Sequence, residues 1–374
     1  MSESAFDYNK HLIALFYRGS QAYGTATPES DADLGGILIP PKRYFLGFCD
    51  TFDQADKLGS LLPVFERFKP QIPAWDNGVE GTLWNIIKFV KLASDCNPNM
   101  IELLFLEESD YLHKTSEFEK ILNIRDLFLS KKARFTFSGY AFSQIKRIKT
   151  HKKWLLNPAD TRPERSDFGL PETKTSQYKD AESLIRHEVD HWAFHDLDLS
   201  PEIQSAVKDK ISEQIAFTKY NDIDLQDNET VREAAMRKIG FDDNLMAVIQ
   251  KENEYRKALT GHKQYLHWKA NRNEKRAILE EKYGFDCKHG AHVVRLLRMG
   301  EEILRDGKVI VKRPDAKELL SIRAGAWTYD KLLEYAEEMQ NKLKDLYESS
   351  TLRKSSDVNK INETVIDIVE NSIL

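Results

Sequence analysis

Cysteine is scarce in this chain of 374 residues. Cys49, Cys96 and Cys287 are widely spaced and odd in number, which argues against a disulfide framework and against a cysteine-rich zinc site. Long apolar runs are missing too; none approaches the ~20 residues that cross a bilayer. The opening "MSESAFDYNKHLIALFYRG" has neither the basic start nor the long apolar core of a secretory signal. Internal repeats and low-complexity tracts are absent. These absences predict a reduced, cytoplasmic protein with no membrane partner. A 41% hydrophobic and 31% charged composition adds a globular fold, with room for one large domain or two to three ordinary ones.

One further absence is local. The net charge of −5 argues against a protein that binds polyanions over its whole surface. Yet no Asp or Glu occurs from Leu127 to Ala159, where Lys131, Lys132, Arg134, Lys146, Arg147, Lys149, Lys152 and Lys153 all fall. That asymmetry predicts one basic face.

The pattern of apolar residues predicts an α+β fold. His11–Arg18 reads as a short helix or strand entering a Gly-Ser turn, and Leu34–Ile39 as a strand stopped by Pro40 and Pro41. Val79, Gly81 and Leu83 alternate, and helical spacing takes over at Ile86, Phe89, Val90 and Ala93. "MIELLFL" is either a strand or a buried helical turn. "KKARFTFSGYAFSQIKRIKTHKKWLL" is helical, with Ala141, Ile145, Ile148 and Leu155 on one stripe and Arg147 and His151 on another face. Its aromatics Phe135, Phe137, Tyr140 and Phe142 suit either a core or nucleic-acid contact. The predicted layout is a mixed-sheet domain over 1–126, a helical region over 127–349, and a connector with a final helix over 350–374. Within the helical region, 158–180 reads as a loop or linker and 181–282 as charged helices.

Chemistry concentrates in "YRGSQAYGTATPESDADLGGILIP", Tyr17 to Pro40. Metal-assisted phosphoryl transfer needs a close backbone approach to phosphate, which glycine allows, and a small hydroxyl donor beside it. It also needs two carboxylates to hold divalent cations. Gly19 and Ser20 supply the first pair. Asp31 and Asp33 supply the second, because residues i and i+2 of a strand point to the same side. A plain solvated turn is the bland alternative, since Asp, Ser, Pro and Gly are turn residues.

"RGSQAYGTATPESDADLGGI" resembles the signature of the DNA polymerase beta nucleotidyltransferase superfamily. Its wording is similar to a bacterial and phage branch associated with RNA repair, as are "LWNIIKFVKLASDCNPNMIELLF", "FSGYAFSQIKRIKTHKKWLLNP" and "KHGAHVVRLLRMGEEIL". The resemblance implies an N-terminal catalytic domain over 1–126 and transfer of a nucleotidyl group from an NTP, ATP foremost, with two Mg²⁺ ions. It implies an RNA 3′ end as acceptor, with a protein or small-molecule hydroxyl as the alternative. It also implies a third carboxylate just before the helix of "NIIKFVKL". Glu80 holds that place, where the branch more often has aspartate, and serves as metal ligand or general base; Asp76 is the neighbouring alternative, and Glu102 reads as structural. Gly19 and Ser20 would meet the β- and γ-phosphates.

Positive charge must stabilise departing pyrophosphate. Arg147, His151 and Lys152, with Lys146 and Lys149, are candidates. So are Lys288, His292 and Arg295, which share one helical face with His289 and Arg298 flanking. Solvated helical faces are the plainer reading of both groups. Two competing functions remain. His187-Glu188-Val189-Asp190-His191 fits the zinc-peptidase spacing H-E-x-x-H, with His195 continuing it. A non-catalytic RNA-binding protein could use the basic stretch alone, although an intact Gly-Ser and Asp-x-Asp disfavours that.

Overall fold

The computed structural model describes residues 6–173, 205, 243–272 and 274–373. The chain divides into two compact units, Met1–Leu155 with Asn273–Leu374, and Leu156–Arg272. The motif His187–His191, with His195, lies outside the described residues.

The first unit holds a five-stranded mixed sheet in the order β3-β4-β2-β1-β5. Its strands are β1 (Leu12–Tyr17), β2 (Ala32–Leu38), β3 (Gln54–Ala55), β4 (Val79–Asn85) and β5 (Tyr111–Lys114). β2 and β4 run parallel, and the other pairs are antiparallel. Central strands covered on both faces read as continuous apolar runs. "LIALF" obeys this, sending Leu12 and Leu15 into one core and Ala14 and Phe16 into the other, with a bulge between Leu12 and Ala14. The smaller core is closed by Leu61, Val64 and Phe65 of a short helix.

Helices supply the larger core. They are α1 (Gly19–Tyr23), α2 (Ile86–Ser94), α3 (Ala133–Leu156), α4 (Cys287–Asp306), α5 (Tyr329–Ser349) and α6 (Val358–Ile373). The switch from alternation to helical spacing falls where expected. β4 ends at Asn85, whose side chain caps α2 by accepting from the Ile87 amide at 2.8 Å. Asp286 caps α4 in the same way, from His289 N at 3.0 Å. Phe137, Ala141, Ile145 and Ile148 of α3 meet Val293, Leu296, Leu297 and Ile303 of α4 in that core, and burying each such large side chain contributes ~1.5–3 kcal/mol.

The α+β expectation holds, and two local details, the Gly-Ser turn and His151, differ. The Gly-Ser turn is the first turn of α1. "MIELLFL" folds as a helix over Pro98–Ile101 followed by a 3-10 turn over Glu102–Leu104, the helical option. His151 faces inward: it continues the buried stripe after Ile148, while Leu155 is only half-buried. Of the four α3 aromatics, Phe137 is in the core and Phe135 is exposed, against Tyr347.

The second unit is described over 156–173 and 243–272, with the isolated residue 205. The long helix Asp243–Ala270 carries buried Glu252, which pairs with Arg165 from the 3-10 turn Arg165–Phe168. Asp160 accepts from Tyr265 at 2.9 Å and Lys269 at 2.6 Å. No helix among the described residues is long and apolar enough to cross a membrane.

Candidate active site

Strand order decides which side chains meet. β1 is antiparallel to β2, so the residues leaving β1 lie beside those entering β2: Tyr17 pairs with Leu34, and the Arg18 amide donates to Asp33 O at 2.9 Å. β4 is parallel to β2, so its first residues lie at the same end, with Asp33 directly opposite Glu80. The exit of β1 and the entries of β2 and β4 therefore form one corner, and Arg18, Gly19, Ser20, Asp31, Asp33 and Glu80 all line the cleft of ≈ 1520 Å³ that opens there.

Gly19 is required twice over. Its φ is +62°, and a Cβ there would stand 2.6 Å from Asp33 Oδ2. The Ser20 hydroxyl makes no hydrogen bond among the described residues, while its carbonyl accepts from Thr25 N at 2.9 Å. The loop into Asp31 is pinned by Asn77, whose amide donates to Pro28 O at 2.7 Å and Ser30 O at 3.1 Å. Arg18 Nε holds Asp33 Oδ1 at 2.5 Å, with its guanidinium over the Trp84 ring. Neither Asn77 nor Arg18 stood out in the sequence; for Arg18 the one signal was its position next to Gly19.

The corner is electrostatically crowded. Burial lifts the Asp33 carboxyl above its usual range, Asp31 adds to the lift, and Arg18 and Lys288 oppose it. Burial likewise lifts Glu80, reinforced by the charges of Asp33 and Asp31. All three are hard oxygen donors of the kind a divalent cation prefers, and a cation between them would offset their mutual repulsion. Asp76 is exposed and does not line the cleft.

Helices α3 and α4 form the opposite wall. Tyr140, Gln144 and Arg147 of α3 and Lys288, His292 and Arg295 of α4 line it. Their charges are not equally available. Arg295 is 3% exposed, its Nη1 donating to Glu102 Oε2 at 2.9 Å and its guanidinium lying 3.7 Å from the Tyr23 ring centre. Tyr23 Oη donates to the other Glu102 oxygen at 2.5 Å. His292 is held neutral: burial, and next the charge of Arg295, pull its pKa down to about 2.

Five of the basic candidates, Lys146, Lys149, His151, Lys152 and Arg298, do not line the cleft. Lys152 places its ammonium 3.8 Å from the Tyr329 ring centre. His151 brings a ligand-type atom within 4.8 Å of those of Glu280 and Asp286, a buried trio of donors assembled from the α3 end and the approach to α4. Arg298 also lies elsewhere, bonded to Asp315, Glu318 and Tyr335.

Residues 2–158 match the model of the RlaP family, the RNA repair pathway DNA polymerase beta family. The chain is also 20% identical over 330 residues, 87% of each chain, to an uncharacterized 38.9 kDa protein of the nrdC-mobD intergenic region of enterobacteria phage T4. No solved structure matches it. Over residues 2–158 the chain is thus similar to the RNA repair pathway DNA polymerase beta family, a likeness that suggests nucleotidyltransferase chemistry.

Proposed function

We propose that the protein moves a nucleoside monophosphate from an NTP, ATP foremost, to a hydroxyl acceptor, the 3′ end of an RNA, releasing pyrophosphate. The observation that carries this reading is the in-register pair Asp33 and Glu80 on parallel β2 and β4, with Asp31 just ahead and Gly19 closed against Asp33. Asp31 and Asp33 would hold Mg²⁺, which when bound supplies Lewis-acid charge neutralisation at the transferred phosphate. Arg18 fixes one Asp33 oxygen and so orients the other toward Gly19.

The acceptor oxygen forms a bond to the α-phosphorus while the bond from that phosphorus to the β-bridging oxygen breaks, and pyrophosphate leaves. Glu80 either joins the two aspartates on the metal, leaving the acceptor proton to solvent, or stays off it and takes that proton, a role its raised pKa suits. Ser20 offers its unengaged hydroxyl and Gly19 a close backbone approach to the β- and γ-phosphates, and Lys288 offers charge from α4. The family's RNA-repair association and the acid-free stretch 127–159 support an RNA acceptor over a protein or small molecule, and the helical region 127–349 is the proposed acceptor side.

The test is to incubate purified protein with each α-labelled NTP, Mg²⁺ and pools of RNA and protein acceptors. Label should appear on RNA, stop with EDTA, and vanish in Asp31→Ala and Asp33→Ala. Label on neither pool, with RNA binding indifferent to Asp31→Ala, would leave the non-catalytic RNA-binding reading standing.

A further inference from the structure

We infer that Tyr140, Gln144 and His292 form the pocket for the base of the incoming nucleotide, and that Gln144 selects adenine. The inference rests on the nucleotidyltransferase reading above and adds its substrate specificity. Tyr140 and Gln144 sit four residues apart on α3, with Arg147 one turn further, so all three share a face. That face lines the cleft, while Phe137, Ala141 and Ile145 turn into the core. His292 meets it from α4, its ring 5.3 Å from that of Tyr140 at a near-perpendicular 84°.

Gln144 is the telling residue. It is only 9% exposed, yet its amide makes no hydrogen bond among the described residues, and its side chain lines the cleft. With its stem packed and its amide open to the cleft, Gln144 keeps a donor and an acceptor available to a ligand. The Tyr140 hydroxyl also has no partner among the described residues. Arg295 Nη2 lies 3.3 Å from His292 Nδ1, and because arginine can only donate, Nδ1 accepts and Nε2 carries the proton. His292 therefore presents a neutral donor, and its neutrality persists across the working pH range.

Tyr140, Gln144 and His292 are themselves neutral and two of them carry rings, unlike the acidic corner, which suits a base better than a triphosphate. The two are suitably spaced. Lys288, whose charge reaches Asp33 and Glu80, stands four residues before His292, one helical turn of ~6 Å, which leaves room for a ribose between phosphate and base. A glutamine amide offers one donor and one acceptor side by side, the complement of adenine's N7 acceptor and N6 donor. On that edge guanine presents two acceptors, and the pyrimidines, having no second ring, lack an N7 altogether.

The experiment titrates full-length protein, in Mg²⁺, with unreactive α,β-methylene analogues of ATP, GTP, CTP and UTP and with tripolyphosphate, by calorimetry. The ATP analogue should bind at least about tenfold more tightly than the others. Gln144→Leu, and Gln144→Glu as a shape-conserving second variant, should bring the four within about threefold while tripolyphosphate binding holds. Equal binding of the four by the unaltered protein, or an adenine preference that survives both variants, overturns the inference and leaves the reaction class standing. If neither nucleotide nor tripolyphosphate binds, both fall. Dependence on Gln144 seen for an RNA ending in adenosine but not for the ATP analogue also overturns it, by giving the pocket to the acceptor.

Discussion

The two walls of the cleft are built on opposite principles. The sheet wall gathers the carboxylates of Asp31, Asp33 and Glu80 along the open cleft, where burial first and like charge next raise the proton affinity of Asp33 and Glu80, with Arg18 paired to Asp33. The helical wall also brings charge inside, but it answers Arg295 at once with Glu102 and strips His292 of its proton. The sheet carboxylates are the proposed seat of a cation, whereas the Arg295–Glu102 pair is a scaffold. The contrast predicts that mutating the sheet carboxylates should cost activity and breaking the Arg295–Glu102 pair should cost stability.

The largest effect should come from the sheet wall. Asp33→Asn should lower turnover by about 10³-fold, ~4 kcal/mol of transition-state stabilisation. Its melting temperature at pH 7 should not fall. With its folded pKa raised, Asp33 binds more protons folded than unfolded between the two values, so its contribution to stability declines as pH rises through that window. At neutral pH the asparagine removes that burden. A calorimetric scan showing a loss of several degrees would make Asp33 part of the scaffold and erase the contrast.

Glu102→Ala tests the other wall. Arg295 would be left buried and unpaired, and breaking such a pair costs about 3–5 kcal/mol. Urea unfolding should show that loss, largely absent in a Glu102→Gln, Arg295→Met double variant. Equal stability of Glu102→Ala and the parent protein would mean that Arg295 is free to serve a phosphate instead.

Gly19→Ala comes next, because it couples the walls through α1. A side chain at φ +62° is strained, and its Cβ must push Asp33 Oδ2 away from 2.6 Å. Turnover should drop about 10²-fold with little change in the fold by circular dichroism. The pH–rate profile should show a smaller, diagnostic effect. Because Asp33 and Glu80 hold protons to higher pH than ordinary carboxylates, the acid limb should lie above the usual carboxylate range. Rising Mg²⁺ should shift it to lower pH, since metal and proton compete for the same oxygens. A limb indifferent to Mg²⁺ would remove these carboxylates from metal binding.

What the sequence disclosed follows the same division. Gly19, Ser20, Asp31 and Asp33 lie within fifteen residues, so local spacing was enough to link them. The place of Glu80 came from resemblance; its pairing with Asp33 depends on β2 and β4 being parallel and in register, which no local pattern encodes. Glu102 and Arg295 are 193 residues apart, so periodicity could place each on its element but could not marry them. His151 was misread for a related reason. Helical spacing put it beside Arg147, yet imidazole can be buried when polar partners await it, and the carboxylates of Glu280 and Asp286 arrive from far along the chain.

Arg147 gives the smallest effect and the finest division within the basic stretch. It is exposed on the cleft rim and makes no ion pair among the described residues, whereas Lys152, five residues on, rests over Tyr329 away from the cleft. An exposed cation contributes up to ~1 kcal/mol. Arg147→Ala should therefore raise the KM for an RNA acceptor a few-fold, leave kcat near its original value, and flatten the dependence of KM on salt by about one counterion. Lys152→Ala should do none of these. Identical behaviour of the two variants would mean that RNA feels the stretch 127–159 as a diffuse field, in which the rim of the cleft has no special part.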